Sequence, residues 1–168
     1  MEMTLPKEMV ENIDECSAQL EETINKFVSQ YASELDEYVQ FVMSLLRDDE
    51  NPPTDLELDD ICMRLSTLIY FTSTGCEQLG IRDDLSRSAY KEAYNTARSL
   101  IDKGTVADKN AQAEIDALQE HLVAVVFSKA YKILKAKVES AQEILASVKK
   151  VMSRRISEQE LSRIQTNG

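Results

Sequence analysis

Apolar residues recur at steps of three and four along the first part of the chain. The repeating positions are Val10, Ile13, Leu20, Ile24, Phe27, Tyr31, Leu35, Tyr38, Val42 and Leu45, with Ser17 filling one place in the register. This spacing lines one side of a long amphipathic α-helix, and a seam of this kind pairs with other helices as in a coiled coil. The segment 47–53 ends the predicted helix, because its two prolines, Pro52 and Pro53, cannot continue a helix.

Two shorter helices are predicted next. Thr54 and Glu57 have the spacing of a capping box, so the second helix begins near Asp55. Gly80 is expected to end it in the left-handed conformation that glycine adopts easily. A third helix is expected over residues 84–102, which places a break between two short helices near residue 80.

Gly104 breaks the pattern again, and Thr105 caps the longest predicted element, over about residues 106–157. At 1.5 Å per residue, these roughly fifty residues without glycine or proline reach about 75 Å. A helix of that length favours packing of part of it on another chain. The sequence therefore predicts an all-α fold, an elongated, coiled-coil-like helical bundle with two long helices and two shorter ones. Its three predicted parts are an acidic helix with a proline linker (1–53), a bundle with a basic-faced helix (54–157) and a fraying polar tail (158–168).

Composition and motifs argue against catalysis and against a metal centre. The single histidine, His121, has no second histidine or cysteine near it in sequence, and the three cysteines form no CxxC pair. Such cysteine usage indicates reduced thiols inside a cell. The acidic pairs Asp59-Asp60 and Asp83-Asp84 are interpreted as helix N-terminal residues that complement the helix dipole. We therefore expect no enzyme activity, no cofactor, no metal and no membrane segment.

Charge is separated along the chain, whose net charge is −11. Residues 1–60 hold 17 acids and 3 bases, residues 61–102 hold 5 of each, and residues 103–168 hold 8 acids and 11 bases. Such an asymmetry indicates contact with a polyanion or head-to-tail pairing of chains.

Six bases fall on one broad side of the last predicted helix, at 100° per residue. They are Lys129, Lys132, Lys135, Lys149, Lys150 and Arg154. A stripe of this kind can track a phosphate backbone, because each base displaces condensed counterions. The alternative is an ordinary solvated face, or a face paired with the acidic first helix.

Two further bases, Lys137 and Arg155, project near the middle of the apolar stripe instead. We expect their stems to lie on apolar neighbours and their charged ends to reach water or a carboxylate. An acidic helix across an oligomer interface is the other interpretation.

The segment 122–127 is apolar on every side of a helix. It must be covered all round, either by the core of its own chain or by a partner chain. The candidate oligomer-interface residues are Leu122, Val125, Val126 and Phe127.

Residues 85–155 resemble a family of small helical proteins of tailed bacteriophages. The runs that carry the resemblance are AYKEAY at 89–94, KGTVAD at 103–108, AQAE at 111–114, AYKILK at 130–135 and ILASVK at 144–149. In the family a helix ends at Gly-Thr-Val-Ala, and a long helix with an aromatic residue and several lysines follows. Some members resemble the T4-type recombination mediators, which help to load a recombinase on single-stranded DNA as helical oligomers. The resemblance implies a homo-oligomer in the bacterial cytoplasm, with single-stranded DNA or a recombinase as partner.

The leading hypothesis is therefore a non-enzymatic, phage-encoded accessory of DNA recombination or replication, in which the six bases contact phosphates. The alternative is an anti-defence protein of the anti-CRISPR kind, which binds a host nuclease or effector. Its acidic first helix would then imitate the phosphates of DNA. The acidic residues of this alternative are Glu11, Asp14, Glu15, Glu21, Glu22, Asp36 and Glu37.

Overall fold

The structure, a computed structural model, describes the backbone of residues 7–48 and 50–166 and the side chains of residues 14–48 and 50–163. Its helices are α1 (Lys7–Leu46), α2 (Asp55–Leu100), α3 (Val106–Asp116) and α4 (Leu118–Thr166). α4 and α2 are the longest, with 49 and 46 residues, and α1 and α3 have 40 and 11. No strand occurs in the described ranges, so the predicted all-α class with two long and two shorter helices is confirmed.

The helix boundary predicted at Gly80 is wrong, because α2 continues through this residue to Leu100. One glycine inside a helix costs about 1 kcal/mol relative to alanine, and the buried face of α2 extends beyond it. Residues of that face follow at steps of three and four: Thr72, Cys76, Leu79, Asp83 and Ser86. Asp83 and Ser86 are polar, which hides the continuing period from a hydrophobic pattern. Asp83 accordingly lies inside a helix and not at a helix N-terminus.

The break predicted at Gly104 is confirmed, since Gly104 has a φ of 115°. Thr105 and Asp108 form a reciprocal capping box at the start of α3. The single long helix predicted after it is interrupted at one residue, Ala117. Hydrogen bonds of 3.0 Å continue across this position, from the Ala117 N–H to the Ala113 carbonyl and from the His121 N–H to the Ala117 carbonyl. α4 then runs to Thr166, through most of the predicted tail; the last two tail residues lie outside the described residues.

The chain divides into two compact units, each built from parts of several helices. Unit 1 comprises the described residues of Met1–Gln30 and Cys76–Ile133, and unit 2 those of Tyr31–Gly75 and Leu134–Gly168. The core of unit 2 is formed by apolar side chains of α1, α2 and α4, most of them large: Leu35, Tyr38, Val42, Leu58, Ile61, Leu65, Ile69, Val138, Ala141 and Val148. The buried apolar residues of unit 1 are smaller on average: Ile24, Val28, Cys76, Leu79, Ala113, Ala117, Ala124, Val126 and Ala130.

α1 and α2 approach each other closely in unit 2, where Gly75 faces Tyr31. A Cβ atom added to Gly75 would lie 2.6 Å from Cγ and 2.8 Å from Cβ of Tyr31. One turn away, the Thr72 hydroxyl donates a hydrogen bond of 3.3 Å to the Tyr31 carbonyl. The absence of a side chain at residue 75 therefore allows this contact, which accounts for a glycine that is otherwise unfavourable in a helix.

Candidate nucleic-acid interface

All six bases of the predicted stripe lie on α4 and are exposed. Lys129 and Lys132 belong to unit 1 and the other four to unit 2. Arg154 forms an ion pair of 3.7 Å with Glu158 on the same helix. Within the described part of the chain, the five lysines have no carboxylate at ion-pair distance, so their charges are available to an external anion.

Unit 1 holds a groove of about 290 Å³ between α2 and α4 that contains one of these lysines. Arg87 and Tyr90 line it from α2, and His121, Ser128 and Lys129 line it from α4. The Tyr90 and His121 rings are in contact, with centroids 4.8 Å apart and planes at 54°. Two cations and two partly accessible rings therefore border one groove, a combination typical of single-strand binding sites.

Arg87 is held in place at this groove by a buried carboxylate. Its Nε and Nη2 donate to the two Asp83 oxygens at 2.7 and 2.8 Å, and Nη2 also donates to the Ser128 hydroxyl at 3.1 Å. The hydrogen bonds to Asp83, with the charge of this carboxylate, raise the pKa of Arg87. Arg87 thus stays charged and links α2 to α4, while Asp83 neutralises much of its charge.

The bases of unit 2 are less suited to binding phosphate than those of unit 1, because carboxylates lie beside them. At 100° per residue, Glu139 and Glu143 fall among Lys135, Lys149 and Lys150 on the same side of α4. The exposed face of α4 in unit 2 therefore carries mixed charge.

Lys137 and Arg155, the two bases in the apolar stripe, both bind carboxylates of their own chain. This agrees with the interpretation that their charged ends reach water or a carboxylate. Lys137 Nζ lies 2.8 Å from both Asp36 oxygens. Arg155 Nη1 donates to the Pro53 carbonyl at 2.6 Å and to Asp55 at 3.2 Å. These contacts fasten α4 to α1 and to the start of α2 with the proline before it.

The predicted oligomer-interface residues are divided between core and surface of unit 1. Val126 is buried, and the Phe127 ring packs on Phe27 with centroids 5.0 Å apart. Val125 is half-buried, and Leu122 is exposed. The chain itself therefore covers much of this segment, and Leu122 is left on the surface together with its neighbour Val123.

The acidic residues proposed for DNA mimicry also differ in their surroundings. Five of them are exposed on α1: Asp14, Glu15, Glu21, Glu22 and Glu37. Asp36 is bound by Lys137, and the side chain of Glu11 lies outside the described residues. Mimicry would thus depend on the five exposed carboxylates.

Neither a metal-binding cluster nor a membrane-spanning helix is found in the described part of the chain. No three His, Cys, Asp or Glu residues lie together as metal ligands would. None of the described helices combines the length and apolar character needed to cross a bilayer. Another groove of unit 1, of about 660 Å³, is lined by Ala89, Ala93 and Ala97 together with Glu92 and other carboxylates, which would repel phosphate.

The chain matches no protein-family model, and none of the curated proteins or solved structures compared with it is similar to it. The site must therefore be interpreted from its own geometry. Sequence reasoning identified Lys129 but missed Arg87, Tyr90 and His121 as its neighbours. Only the packing of α2 against α4 brings these residues together, and the hydrophobic pattern carries no signal for that packing.

Proposed function

We propose that this protein is a non-enzymatic helical protein that binds single-stranded nucleic acid. Its main contact is the groove between α2 and α4 that Arg87, Tyr90 and Lys129 line, which we call the unit 1 groove. The observation that carries the proposal is the meeting of Lys129 and Arg87 with the Tyr90 and His121 rings. Single strands expose both phosphates and base faces, so a site for them needs cations beside aromatic surfaces. A double helix presents no free base face for Tyr90.

In this mechanism each side chain has a separate task. Lys129 contacts a phosphate, and Lys132, one turn further along α4, contacts a neighbouring one. An unpaired base stacks on Tyr90, whose ring is fixed by His121. Arg87 orients the Ser128 side chain and contributes the positive charge that Asp83 leaves uncompensated. No bond is made or broken.

The finer proposal is an accessory role in phage DNA recombination or replication, carried out as a homo-oligomer. It is supported by the resemblance of residues 85–155 to the phage helical proteins described above. An exposed apolar stripe formed by Ile115, Leu118 and Leu122 supports self-association, since this spacing lines one side of the α3–α4 segment. Sedimentation of Leu118→Glu with Leu122→Glu tests this part; an unchanged mass would contradict it.

Fluorescence anisotropy of a labelled single-stranded oligonucleotide, repeated across salt concentrations, tests the binding proposal. With Lys129 and Lys132 as the phosphate contacts, the logarithm of affinity should fall with the logarithm of salt with a slope of about −1.4 or steeper. Lys129→Glu with Lys132→Glu should weaken binding and reduce that slope by at least about 1.4, since two contacts are lost.

The matched control is Lys91→Glu with Arg98→Glu, which changes the net charge equally at two exposed α2 positions of unit 1. It should retain most of the affinity. Equal losses of affinity in the two double variants would mean that net charge alone governs binding, which would contradict a specific site. Absence of binding to the wild type at low salt would refute the proposal.

A second candidate, DNA mimicry by α1, is favoured by one specific observation: Glu21 and Glu22 are exposed and lie in the part of the chain that holds 17 acids. Deletion of α1 is unsuitable as a test, because Leu35 and Val42 belong to the unit 2 core. The better test is whether the intact protein displaces DNA from a CRISPR effector complex, and whether Glu21→Lys with Glu22→Lys abolishes the effect. Unchanged displacement by the variant would exclude this surface.

A further inference from the structure

Unit 2 contains an apolar groove with acidic edges, in contrast to the basic unit 1 groove. It lies between the C-terminal half of α1 and the N-terminal half of α2. Its apolar surface is formed by Phe41, Leu45, Leu56, Ile61 and Met63, and it encloses about 470 Å³. Leu56 is 80% exposed, Met63 74% and Phe41 53%. Large apolar side chains grouped on a surface in this way indicate an interaction site, because soluble proteins rarely expose contiguous apolar patches without a partner to cover them.

The groove continues along the same pair of helices. Phe41 is shared with an adjoining hollow of about 330 Å³ that Glu34, Tyr38 and Leu68 also line. From Glu34 to Leu45 the wall formed by α1 extends over about 16 Å, at 1.5 Å per residue, which is three helical turns. We call this combined surface, lined by the residues of both hollows, the acidic groove.

Its charges are predominantly negative. The carboxylates along it are Glu34, Glu37, Glu57, Asp59 and Asp60. The one cation among the lining residues is Arg64, and its guanidinium lies 4.6 Å above the Tyr38 ring. A ligand whose apolar side fits the groove must therefore carry positive charge at both edges.

Tyr38 gives an independent indication that the groove is incomplete. Its side chain is only 6% exposed, and its hydroxyl has no hydrogen-bond partner among the described residues. An unsatisfied buried hydroxyl is unfavourable, so a native structure usually provides a partner for it. Arg64, which covers the Tyr38 ring, is itself exposed.

We propose that the acidic groove binds an amphipathic helix of another protein, about three turns long, with an apolar stripe flanked by Lys and Arg. Helix-in-groove recognition uses apolar anchors spaced at i, i+3, i+4 and i+7, for which Phe41 provides apolar area and the flexible Met63 an adaptable contact. The carboxylates along the groove select basic flanks over acidic ones.

A second copy of this chain does not provide that helix. The basic helix α4 buries Leu134, Ala141 and Val148 in its own fold, and its exposed Ile156 and Leu161 lie beside Glu158 and Glu160, which the acidic groove would repel. The exposed apolar stripe of α3 and α4 is flanked by Glu114, Asp116 and other acids, so the acidic groove would repel it. The occupant is consequently a different protein with a basic amphipathic segment.

The test measures binding of synthetic helical peptides to the full-length protein by fluorescence anisotropy. The probe is a labelled peptide of about fourteen residues with Leu on one helical stripe and Lys beside it. A scrambled peptide of equal composition and an analogue with Glu in place of Lys serve as comparisons. Met63→Glu is the groove variant, and Phe71→Glu, at an exposed apolar α2 position of unit 2 outside the groove, is its matched control.

The amphipathic basic peptide should bind wild type and Phe71→Glu equally, and Met63→Glu at least about tenfold more weakly. The other two peptides should bind weakly or not at all. Equal affinity for the scrambled and the amphipathic peptide would overturn the proposal, and so would undiminished affinity of Met63→Glu. No binding of the amphipathic peptide to wild type would also overturn it. A change of oligomeric mass in Met63→Glu would identify a second copy as the occupant and overturn it as well. Single-strand binding belongs to the other unit, so Met63→Glu should leave it unchanged.

Discussion

Replacement of Gly75 by alanine should destabilise the protein, although alanine is the better helix former. A Cβ atom at this position would lie 2.6 Å from Cγ of Tyr31 and 2.8 Å from its Cβ. Non-bonded carbon atoms prefer about 3.5–4.0 Å. Because these atoms are close to the Tyr31 backbone, rotation of the ring cannot relieve the clash, and α1 and α2 must separate locally.

The magnitude follows from two opposing effects. Overpacking of a tight contact costs about 1–3 kcal/mol, and an unrelievable clash lies at the upper end of that range. The gain in helix propensity from glycine to alanine is about 1 kcal/mol. The net expectation for Gly75→Ala is a loss of about 2 kcal/mol in the free energy of unfolding, or about 5 °C in Tm for a chain of this length.

Gly80→Ala in the same helix is the matched control. Its added Cβ would lie 3.3 Å from Cε2 of Tyr131, an atom at the far side of a half-buried ring that can shift slightly. Gly80→Ala should therefore leave stability unchanged or raise it by up to about 1 kcal/mol. Urea denaturation followed by circular dichroism at 222 nm measures both variants. A Gly75→Ala protein as stable as the wild type would refute the reasoning.

The remaining stability predictions concern the core, an interhelical contact and a helix cap. Leu65 is fully buried, so Leu65→Ala should cost about 3 kcal/mol in urea denaturation; a loss below about 1 kcal/mol would contradict its place in the core. Arg155→Ala removes the 2.6 Å hydrogen bond to the Pro53 carbonyl and should cost about 1–2 kcal/mol in the same assay, whereas no loss would mean that water replaces the contact. Hydrogen bonds from the Thr54 backbone N–H and hydroxyl hold the pKa of Glu57 below its ordinary 4.5. The ionised form is therefore favoured by folding, and its contribution is full above the unfolded pKa and is lost as the pH falls through the folded value. Glu57→Gln should be less stable than wild type at pH 7, with the difference shrinking towards pH 3; a difference independent of pH would exclude this linkage.

The fold class follows from the sequence because its evidence is local. The steps of three and four in α1, the proline pair after it and the Gly104–Thr105 break each act within a few residues, and each predicted feature is found. The error at Gly80 has a physical origin, since the buried face of α2 continues there through polar Asp83 and Ser86. A hydrophobic pattern cannot distinguish a paired, buried carboxylate from a surface one.

The candidate site was predictable only in part, for a different reason. Lys129 stands out because bases cluster on one side of a helix, which is a local property. Tyr90 and His121 are 31 residues apart in the sequence, and their contact of 4.8 Å depends on the packing of α2 against α4. The acidic groove is equally non-local, since Phe41 and Met63 come from different helices.

The most direct test of the central claim, that the unit 1 groove holds a single strand, is the affinity of a labelled single-stranded oligonucleotide for Tyr90→Ala. Tyr70→Ala, which removes an exposed tyrosine from α2 in unit 2, is the control. Stacking of a base on an aromatic ring contributes about 1–3 kcal/mol, so Tyr90→Ala should bind about tenfold more weakly at fixed salt, with an unchanged salt slope. Tyr70→Ala should bind as the wild type does. Equal affinities for Tyr90→Ala and wild type would contradict the account.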